Sequence, residues 1–267
     1  MAAMSVEDGR EYSLWDEFDS RAYIARLYTR TILPEDTEIM RFIVGEIREL
    51  GIDAGQLRRA ADVGAGPNLY PALLLSPYVA DDGLVDLIDM SANNVAYLEA
   101  QLSDTQLEAS TIWSKFEAYQ QALGHDASLK KIRRVAVTQQ GSIFDLPVGI
   151  YDAVLSFFAL ESVADLEQNY RAALESLMSS LKPGGLFITA HVVGCKGYLA
   201  GPGRLYPTVN LSYEQITASY EPYGPCRTLL VTSENREVAH TGCDGLTAVV
   251  GVKSVKETET GEGRGSK

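Results

Sequence analysis

The sequence predicts an α/β fold in which a mostly parallel sheet carries helices on both faces. Three observations support this: a glycine-rich turn joins a short apolar strand to a helix within residues 57–75, an acidic residue ends the next apolar strand, and further apolar strands alternate with helical stretches. With 267 residues, 46% of them hydrophobic, the chain can bury the core of one large domain.

The charge of the chain restricts its partners. The formal net charge is -13 at pH 7 and no basic run offsets it, so neither nucleic acid nor an anionic membrane is a predicted partner. No apolar run approaches the length of a membrane span, and the first 13 residues lack the apolar core of a signal peptide. We therefore predict a cytoplasmic protein.

Cysteine and histidine usage predicts no metal site. The three cysteines are widely spaced, and no histidine lies at ligand spacing from another. The residues concerned are Cys195, Cys226, Cys243, His125, His191 and His240. We expect neither a CxxC metal pair nor a disulfide framework.

The N-terminal fifth of the chain predicts helices. Residues 1–10 are expected to be disordered, and residues 11–33 place Trp15, Phe18, Tyr23, Leu27 and Tyr28 for one or two helices with an aromatic face. This face either packs on the body of the protein or closes over a ligand as a lid. Residues 35–50 have apolar side chains at helical spacing and are followed by a glycine, as at a helix C-cap.

The first predicted strand, residues 57–62, leads into Asp62-x-Gly64-x-Gly66. Glycines permit a sharp turn and let a ligand lie against bare peptide. A dinucleotide fingerprint has a third glycine where this chain has Leu69, so a pyrophosphate ligand is disfavoured. Asp62 would repel phosphates but would accept a hydrogen bond from an ammonium or a water. The alternative is an ordinary glycine-rich turn between a strand and a helix.

The second predicted strand, residues 84–89, ends in an acid. Asp89 follows the first glycine of the turn by 25 residues. In nucleotide-binding α/β folds a carboxylate here accepts hydrogen bonds from both ribose hydroxyls. The alternative is that Asp89 caps the helix predicted to start at Ser91.

The remaining chain alternates between helices and strands. Strands are predicted at residues 135–137, 151–156, 186–189, 228–232 and 246–252, and helices at residues 107–134, 166–181 and 212–220. Glu161 follows the fourth strand at the sheet edge where open α/β sheets bind ligands. Residues 256–267 contain no apolar residue and are expected to be disordered.

Together these features resemble class I S-adenosylmethionine (SAM) methyltransferases, and within them the family of nicotinamide, phenylethanolamine and indolethylamine (thioether) N-methyltransferases. The resemblance covers about residues 15–253. The matching stretches are Phe18-Asp19-Ser20-Arg21-Ala22-Tyr23 with Tyr28, Asp62-Val63-Gly64-Ala65-Gly66-Pro67-Asn68-Leu69-Tyr70, Asp89-Met90-Ser91 with Asn94, and Leu181-Lys182-Pro183-Gly184-Gly185.

This resemblance implies a fold and a cofactor. The expected fold is one domain over residues 11–255, with an N-terminal helical lid (residues 11–50) and a Rossmann-like core (residues 57–255). The core would hold a seven-stranded class I methyltransferase sheet, and insertions would shape the substrate pocket. The expected cofactor is SAM.

The resemblance also implies roles for individual residues. The hydroxyls of Tyr23, Tyr28 and Tyr70 would bind the methionine carboxylate, with Tyr23 also near the methyl group, and Asp89 would bind the ribose. Phe157 takes a place beside the SAM amino group where relatives have a small polar residue. The other implied cofactor residues are Gly64, Ala65, Gly66, Met90, Asn94, Ser142 and Ile143.

Two side chains are candidates for substrate chemistry. His191 ends the fifth strand where amine-binding relatives have an acid, and Glu161 matches a position where an acid faces the substrate amine in some relatives. An imidazole can serve as general base near neutral pH; alternatively His191 hydrogen-bonds locally at the strand end. Glu161 either holds a cationic amine, acts as a base, or caps the following helix. With Tyr23, these are the predicted catalytic residues.

The predicted function is SAM-dependent methylation of a small aromatic or amine-containing molecule, with indole-like compounds and arylalkylamines favoured. Methyl transfer from a sulfonium depends chiefly on alignment and exclusion of water. Two alternatives stay open: C- or O-methylation of an aromatic specialised metabolite, and a non-catalytic SAM-binding protein. The sequence makes no prediction about the acceptor atom or the oligomeric state.

Overall fold

A computed structural model describes residues 15–29, 31–103, 112–163, 166–199, 205–232 and 242–255. The segments predicted to be disordered, residues 1–10 and 256–267, lie outside these ranges. The strands are β1 (Leu57–Val63), β2 (Val79–Asp89), β3 (Ala136–Gln140), β4 (Tyr151–Phe157), β5 (Leu181–Val193), β6 (Tyr198–Leu199), β7 (Leu205–Tyr206), β8 (Cys226–Val231) and β9 (Gly245–Val252).

Seven of these strands form one central sheet in the order β3-β2-β1-β4-β5-β9-β8, and β6 and β7 form a separate two-stranded sheet. Strands β1 to β5 pair in parallel, whereas β9 is antiparallel to both of its neighbours. Buried parallel strands are mostly apolar, which is why β4 was visible in the sequence, whereas β1 was recognised from the glycine turn that follows it. The predicted α/β class and seven-stranded sheet are confirmed.

Helices pack on both faces of this sheet. They are α1 (Ser20–Leu27), α2 (Pro34–Glu49), α3 (Tyr70–Leu75), α4 (Ala92–Ser103), α5 (Ile112–Ala122), α6 (Leu129–Val135), α7 (Glu167–Ser180) and α8 (Tyr213–Tyr220). Successive residues of β5 alternate between the two cores: Ile188 packs with the cluster containing α2 and α3, and Phe187 with the cluster containing α7 and α8. This alternation decides which side chains reach the site.

Two strands start earlier than predicted because each contains an irregularity that the apolar pattern hides. The pairing of β1 with β2 shifts register after Leu57, and that of β4 with β5 shifts after Tyr151. Residues 81–83 and 182–185 therefore belong to strands, although they break the apolar pattern. By contrast, β3 begins one residue later than predicted, because Val135 belongs to the last turn of α6.

The expectation that the cysteines form no disulfide is wrong for one pair. Cys195 and Cys243, 48 residues apart in sequence, are joined in the structure. Cys195 lies just after β5 and Cys243 just before β9, and these antiparallel neighbours bring Val193 opposite Gly245. Strand pairing thus places together two residues whose sequence spacing carries no signal.

Across the described ranges, no helix has both the length and the apolar character needed to cross a membrane.

Candidate active site

A cavity opens at the carboxyl ends of the central strands. Nine of the predicted cofactor residues line it: Tyr23, Gly64, Ala65, Gly66, Asp89, Met90, Asn94, Ile143 and Phe157. Eleven further residues line it that were not predicted as site residues: Trp15, Phe18, Leu27, Pro67, Asn68, Gly141, Phe158, Ala159, Ser162, Val163 and Val192. The topology therefore gathers most of the predicted cofactor set around one space, with the N-terminal segment over it.

The two glycines after β1 serve different purposes. Both have left-handed backbone angles, with φ of 68° at Gly64 and 57° at Gly66. A Cβ at Gly64 would overlap the Cβ of Ala159, so this glycine permits close packing of the turn that follows β4. At Gly66 the nearest atom to such a Cβ is Asn68 Nδ2 at 3.9 Å, so this glycine instead leaves bare peptide facing the cavity.

Asp89 is held rigidly at the cavity wall. Its Oδ2 accepts a hydrogen bond from the Gly66 amide at 2.7 Å, and its Oδ1 accepts from the Ser91 amide at 2.8 Å and from Asn94 Nδ2 at 3.1 Å. Burial raises the pKa of Asp89, and these three donors oppose the shift. The carboxylate thus both caps the start of α4 and lines the cavity, so the two interpretations of this residue are compatible.

The three predicted tyrosines form one cluster, but only Tyr23 lines the cavity. Tyr28 and Tyr70 are buried behind it, with ring centroids 6.1 Å apart, and Tyr70 lies 5.7 Å from the ring of Phe157. Burial raises the pKa of Tyr23 to about 12 and those of Tyr28 and Tyr70 well above the usual value. All three hydroxyls therefore stay protonated at neutral pH, and Tyr23 is a hydrogen-bond donor rather than a base.

Ser142 is not among the lining residues. Its Oγ accepts a hydrogen bond from the Phe144 amide at 3.1 Å and so caps the short 3₁₀ turn Ile143–Asp145. The chain on either side, Gly141 and Ile143, reaches the cavity instead.

Glu161 and His191, the predicted substrate-contacting residues, are close to each other but away from the cavity lining. Glu161 Oε2 lies 2.9 Å from His191 Nδ1, and Glu161 Oε1 accepts a hydrogen bond from the Val192 amide at 2.9 Å. His191 Nε2 lies 2.8 Å from the Tyr220 hydroxyl and 3.1 Å from Thr189 Oγ1. Both side chains are fully buried, and each of their oxygen and nitrogen atoms has a hydrogen-bond partner within the fold.

The pleat of β5 explains this orientation. Val192 lines the cavity, and because side chains alternate between the faces of a strand, His191 points to the opposite face. There it lies beside the rings of Tyr170 and Tyr220, with centroids 6.0 Å and 5.9 Å away. A shift of one residue along the strand separates a cavity position from a core position.

Phe158 lines the cavity but was not among the predicted site residues, although it follows the fourth predicted strand at the edge where ligands bind. It has φ of 58°, an unusual backbone conformation for a non-glycine residue. The strain is held by two bonds: the Phe158 amide donates to Ala190 O at 2.7 Å, and Ser162 Oγ donates to Phe158 O at 2.8 Å. The sequence carries no signal for it, because left-handed residues are normally glycine or asparagine.

Aromatic side chains from the N-terminal segment cover another part of the cavity. Phe18 lies 5.3 Å from Tyr23, and both Trp15 and Phe18 contact Tyr206 of β7, with centroid distances of 4.8 Å and 5.5 Å. The aromatic face predicted for this segment thus faces the cavity and the small β6–β7 sheet. A sequence signal existed in the aromatic spacing, but it did not show which of these rings would line a site.

Unsatisfied polar atoms indicate what kind of ligand fits. Within the described chain, both carboxylate oxygens of Asp62 and Oδ1 of Asn68 are buried without a hydrogen-bond partner. Burial and the neighbouring Asp89 raise the pKa of Asp62 to about 7. No lysine or arginine is among the residues that line the cavity. Asn68 lines the cavity, whereas Asp62 does not. The lack of a lining cation beside these buried acceptors disfavours a phosphate-bearing nucleotide and is compatible with a nucleoside that carries a cationic substituent.

The parallel sheet, the bare glycine turn and the carboxylate at the end of β2 define a SAM-dependent methyltransferase. The sequence profile of the NNMT/PNMT/TEMT family matches residues 7–254. The chain belongs to this family, as its motifs predicted.

Individual relatives agree with this assignment. The chain is 25% identical to indolethylamine N-methyltransferase of Mus musculus over 264 residues, covering 92% of this chain and 96% of that enzyme. It is 26% identical to nicotinamide N-methyltransferase of Sus scrofa, covering 72% and 75% of the two chains. It is also 27% identical to phenylethanolamine N-methyltransferase of Homo sapiens, covering 60% and 59%.

Solved structures show the same fold. The 1,6-didemethyltoxoflavin-N1-methyltransferase of Burkholderia thailandensis superposes with a TM-score of 0.52 at 15% identity, covering 96% of this chain and 93% of that one. The DhpI structure with S-adenosylhomocysteine (SAH) gives a TM-score of 0.51 at 20% identity, covering 92% and 97%.

Proposed function

We propose that the protein transfers a methyl group from SAM to a nitrogen of a small aromatic amine or heteroaromatic compound. One observation carries the proposal: a single cavity joins the glycine turn and Asp89 to an apolar wall that includes Trp15, Phe18 and Phe158. Flat aromatic compounds are bound by such walls through stacking and desolvation. The relatives named for indolethylamine, phenylethanolamine and nicotinamide favour nitrogen as the acceptor over carbon or oxygen.

In this proposal the cofactor-binding residues align the methyl donor with the acceptor. Bound SAM supplies an electrophilic methyl on a sulfonium, which an in-line nucleophile takes. The backbone of Ala65 and Gly66 would contact the cofactor, Asp89 would bind its ribose, and the buried Asp62, which does not line the cavity, would attract its ammonium electrostatically. The Tyr23 hydroxyl would donate to the methionine end. Exclusion of water by the surrounding apolar side chains completes the alignment.

The remaining predicted residues take modified roles. Met90, Asn94 and Ile143 stay as ribose and adenine neighbours, since all three line the cavity. Ser142 is proposed to act by shaping the turn beside the adenine and not by a side-chain contact. Phe157 is proposed to seal the cavity between cofactor and tyrosine cluster.

Glu161 and His191 are proposed to hold the substrate wall in place without touching the substrate. Glu161 bonds the Val192 amide of β5 through its side chain, and its carbonyl accepts from the Val209 amide at 2.8 Å. It therefore joins three segments beside the lining residues Ser162 and Val192. An amine that enters uncharged needs no base, so methylation is compatible with this arrangement.

Small molecules, rather than nucleic acid, are the proposed partners because of the large negative charge. The cytoplasm is the proposed location.

The test is an assay with methyl-labelled SAM and a panel of tryptamines, phenethylamines, pyridines and phenols. We expect label on the nitrogen of at least one aromatic amine or pyridine, located by mass spectrometry. Label on phenol oxygen alone would instead establish the O-methylation alternative. Tight SAH binding by calorimetry without transfer to any compound would indicate a non-catalytic SAM-binding protein. The variant Asp89→Ala, assayed in parallel, controls for contaminating activity.

A further inference from the structure

Asp36 is a buried acid directly behind the cofactor cavity. It lies in the first turn of α2 and is 2% exposed. Its Oδ1 accepts a hydrogen bond from the Tyr70 hydroxyl at 3.0 Å, whereas its Oδ2 has no partner among the described residues. A buried carboxyl with only one hydrogen-bonded oxygen is costly as an anion, so its surroundings favour the neutral form.

The groups facing Asp36 come from three elements. Glu35 precedes it on α2, Tyr23 and Tyr28 belong to the N-terminal segment, and Tyr70 belongs to α3. Burial raises the pKa of Asp36 to about 7, the Tyr70 bond lowers it, and Glu35 raises it further. The neutral and ionised forms are therefore both accessible near neutral pH.

The protonation state of Asp36 controls the direction of the Tyr70 hydroxyl. An ionised Asp36 can only accept hydrogen bonds, so the Tyr70 hydroxyl donates to it. A neutral Asp36 can donate a hydrogen bond to the Tyr70 oxygen, and the Tyr70 hydroxyl can then donate to another acceptor. The pKa of Tyr70 is raised well above the usual value by burial and then by Asp36, so Tyr70 itself does not ionise.

The ionised and neutral forms of Asp36 differ in how well the site accepts a bound anion. Three protonated hydroxyls in one buried cluster are donors, and the only anion that SAM carries is its carboxylate. An ionised Asp36 in the same buried region, where its charge already acts on the lining Tyr23, would repel that carboxylate. A neutral Asp36 removes this repulsion.

We propose that Asp36 binds one proton when the cofactor binds, so that no buried negative charge lies behind Tyr23 and repels the cofactor carboxylate. The inference rests on SAM being the ligand of the described cavity. Asp62 contributes no proton uptake at alkaline pH, because it would meet the ammonium as an anion.

The experiment is isothermal titration calorimetry of SAH at pH 8, in buffers that differ in ionisation enthalpy. We expect the wild type to take up about half a proton or more per SAH bound, and its affinity to fall by up to about tenfold between pH 7.5 and 8.5. In Asp36→Asn the uptake should vanish and the affinity should change less than about twofold over this range. Glu35→Gln is the matched control: it removes a carboxyl from the adjacent position of the same helix and should keep the uptake.

Retention of proton uptake in Asp36→Asn, or its absence in the wild type, would overturn the proposal while leaving the methyltransferase assignment intact. If the wild type bound no SAH at any pH from 6 to 8.5, both would fail. Should Asp36→Asn not fold, Tyr70→Phe provides the second test. It removes the hydrogen bond that lowers the pKa of Asp36, so Asp36 is already more protonated before SAH binds and we expect proton uptake below half of the wild-type value; unchanged uptake would refute the role of Asp36.

Discussion

Glu161 Oε2 lies 2.9 Å from His191 Nδ1, on the face of β5 opposite to the cavity-lining Val192. The contact continues through His191 Nε2 to the Tyr220 hydroxyl of α8 at 2.8 Å. This chain of buried polar groups joins the turn after β4, the end of β5 and α8. It stabilises the wall of the site from behind.

The first prediction concerns this buried pair. His191→Ala leaves Glu161 Oε2 without a partner in the core, so we expect a loss of about 3–5 kcal/mol in the free energy of unfolding. Glu161→Gln keeps an acceptor for the Val192 amide and should cost less. For both variants, KM for the methyl acceptor should rise, while SAH affinity changes less than about threefold. Chemical denaturation, steady-state kinetics and calorimetry measure these quantities. A fully stable Glu161→Gln whose kcat falls a hundredfold with KM unchanged would show direct participation in catalysis.

The second prediction separates the two glycines of the turn. Gly64→Ala should destabilise the protein strongly, because its methyl overlaps Ala159 in addition to the strain of a left-handed alanine. Gly66→Ala meets no atom closely, so only the backbone strain of roughly 1–2 kcal/mol applies. Its methyl enters the cavity, and SAH affinity should fall at least tenfold. Melting temperature and SAH titration of the two variants, side by side, test this; equal losses of stability would contradict it.

The third prediction concerns Asp89. Asp89→Ala removes the acceptor for the Gly66 amide and the proposed ribose contact, so SAH affinity should fall by tenfold to a hundredfold, on the order of 1.5–3 kcal/mol. Asp82→Asn, at an exposed position of the same strand, is the charge-matched control and should bind SAH normally. Normal binding by Asp89→Ala would remove the ribose assignment.

The fourth prediction is a pH dependence of stability in the cofactor-free protein. The pKa values of Asp36 and Asp62 are raised to about 7 in the folded state, mainly by burial. A raised folded pKa means stability that is complete below about pH 4 and is lost as pH rises through about 7, at most about 4 kcal/mol for each group. We expect the melting temperature to fall between pH 5 and pH 8, and Asp62→Asn to reduce that fall. An identical slope in Asp62→Asn would show that other groups cause it.

The fifth prediction addresses the substrate wall. Trp15→Ala should raise KM for an aromatic acceptor by about fivefold to thirtyfold, because a large stacking surface is lost, with SAH affinity nearly unchanged. Val148→Ala, at a side chain that is 77% exposed, is the control for a general effect of apolar truncation. Equal KM values in the two variants would place the acceptor elsewhere.

Several features were predictable because local residues specify them. The apolar run before Asp62, the glycines at 64 and 66 and the acid at 89 each require a particular backbone or charge at one place. Strand order in a parallel α/β sheet then brings these turns to one edge, so nine of the twelve predicted cofactor residues line one cavity. The boundaries at Leu181 and Val135 were less accurate, since bulges and helix ends leave weak patterns.

Other features depend on contacts between distant segments. Nothing near His191 in sequence reveals that Glu161 and Tyr220 surround it, and nothing near Tyr70 reveals its bond to Asp36. The left-handed backbone of Phe158 is likewise maintained by Ala190 and Ser162 and not by its own residue type.

The amino-acid sequence by itself determined the α/β class, the family, the cofactor and the position of the glycine turn, because these follow from short patterns with one dominant physical cause each. The tertiary structure alone decided which face of β5 His191 occupies, which tyrosine borders the cavity and which cysteines meet. Those outcomes depend on strand register and long-range packing. A shift of one residue along a strand moves a side chain from the cavity face to the core face, and no local pattern encodes such a shift.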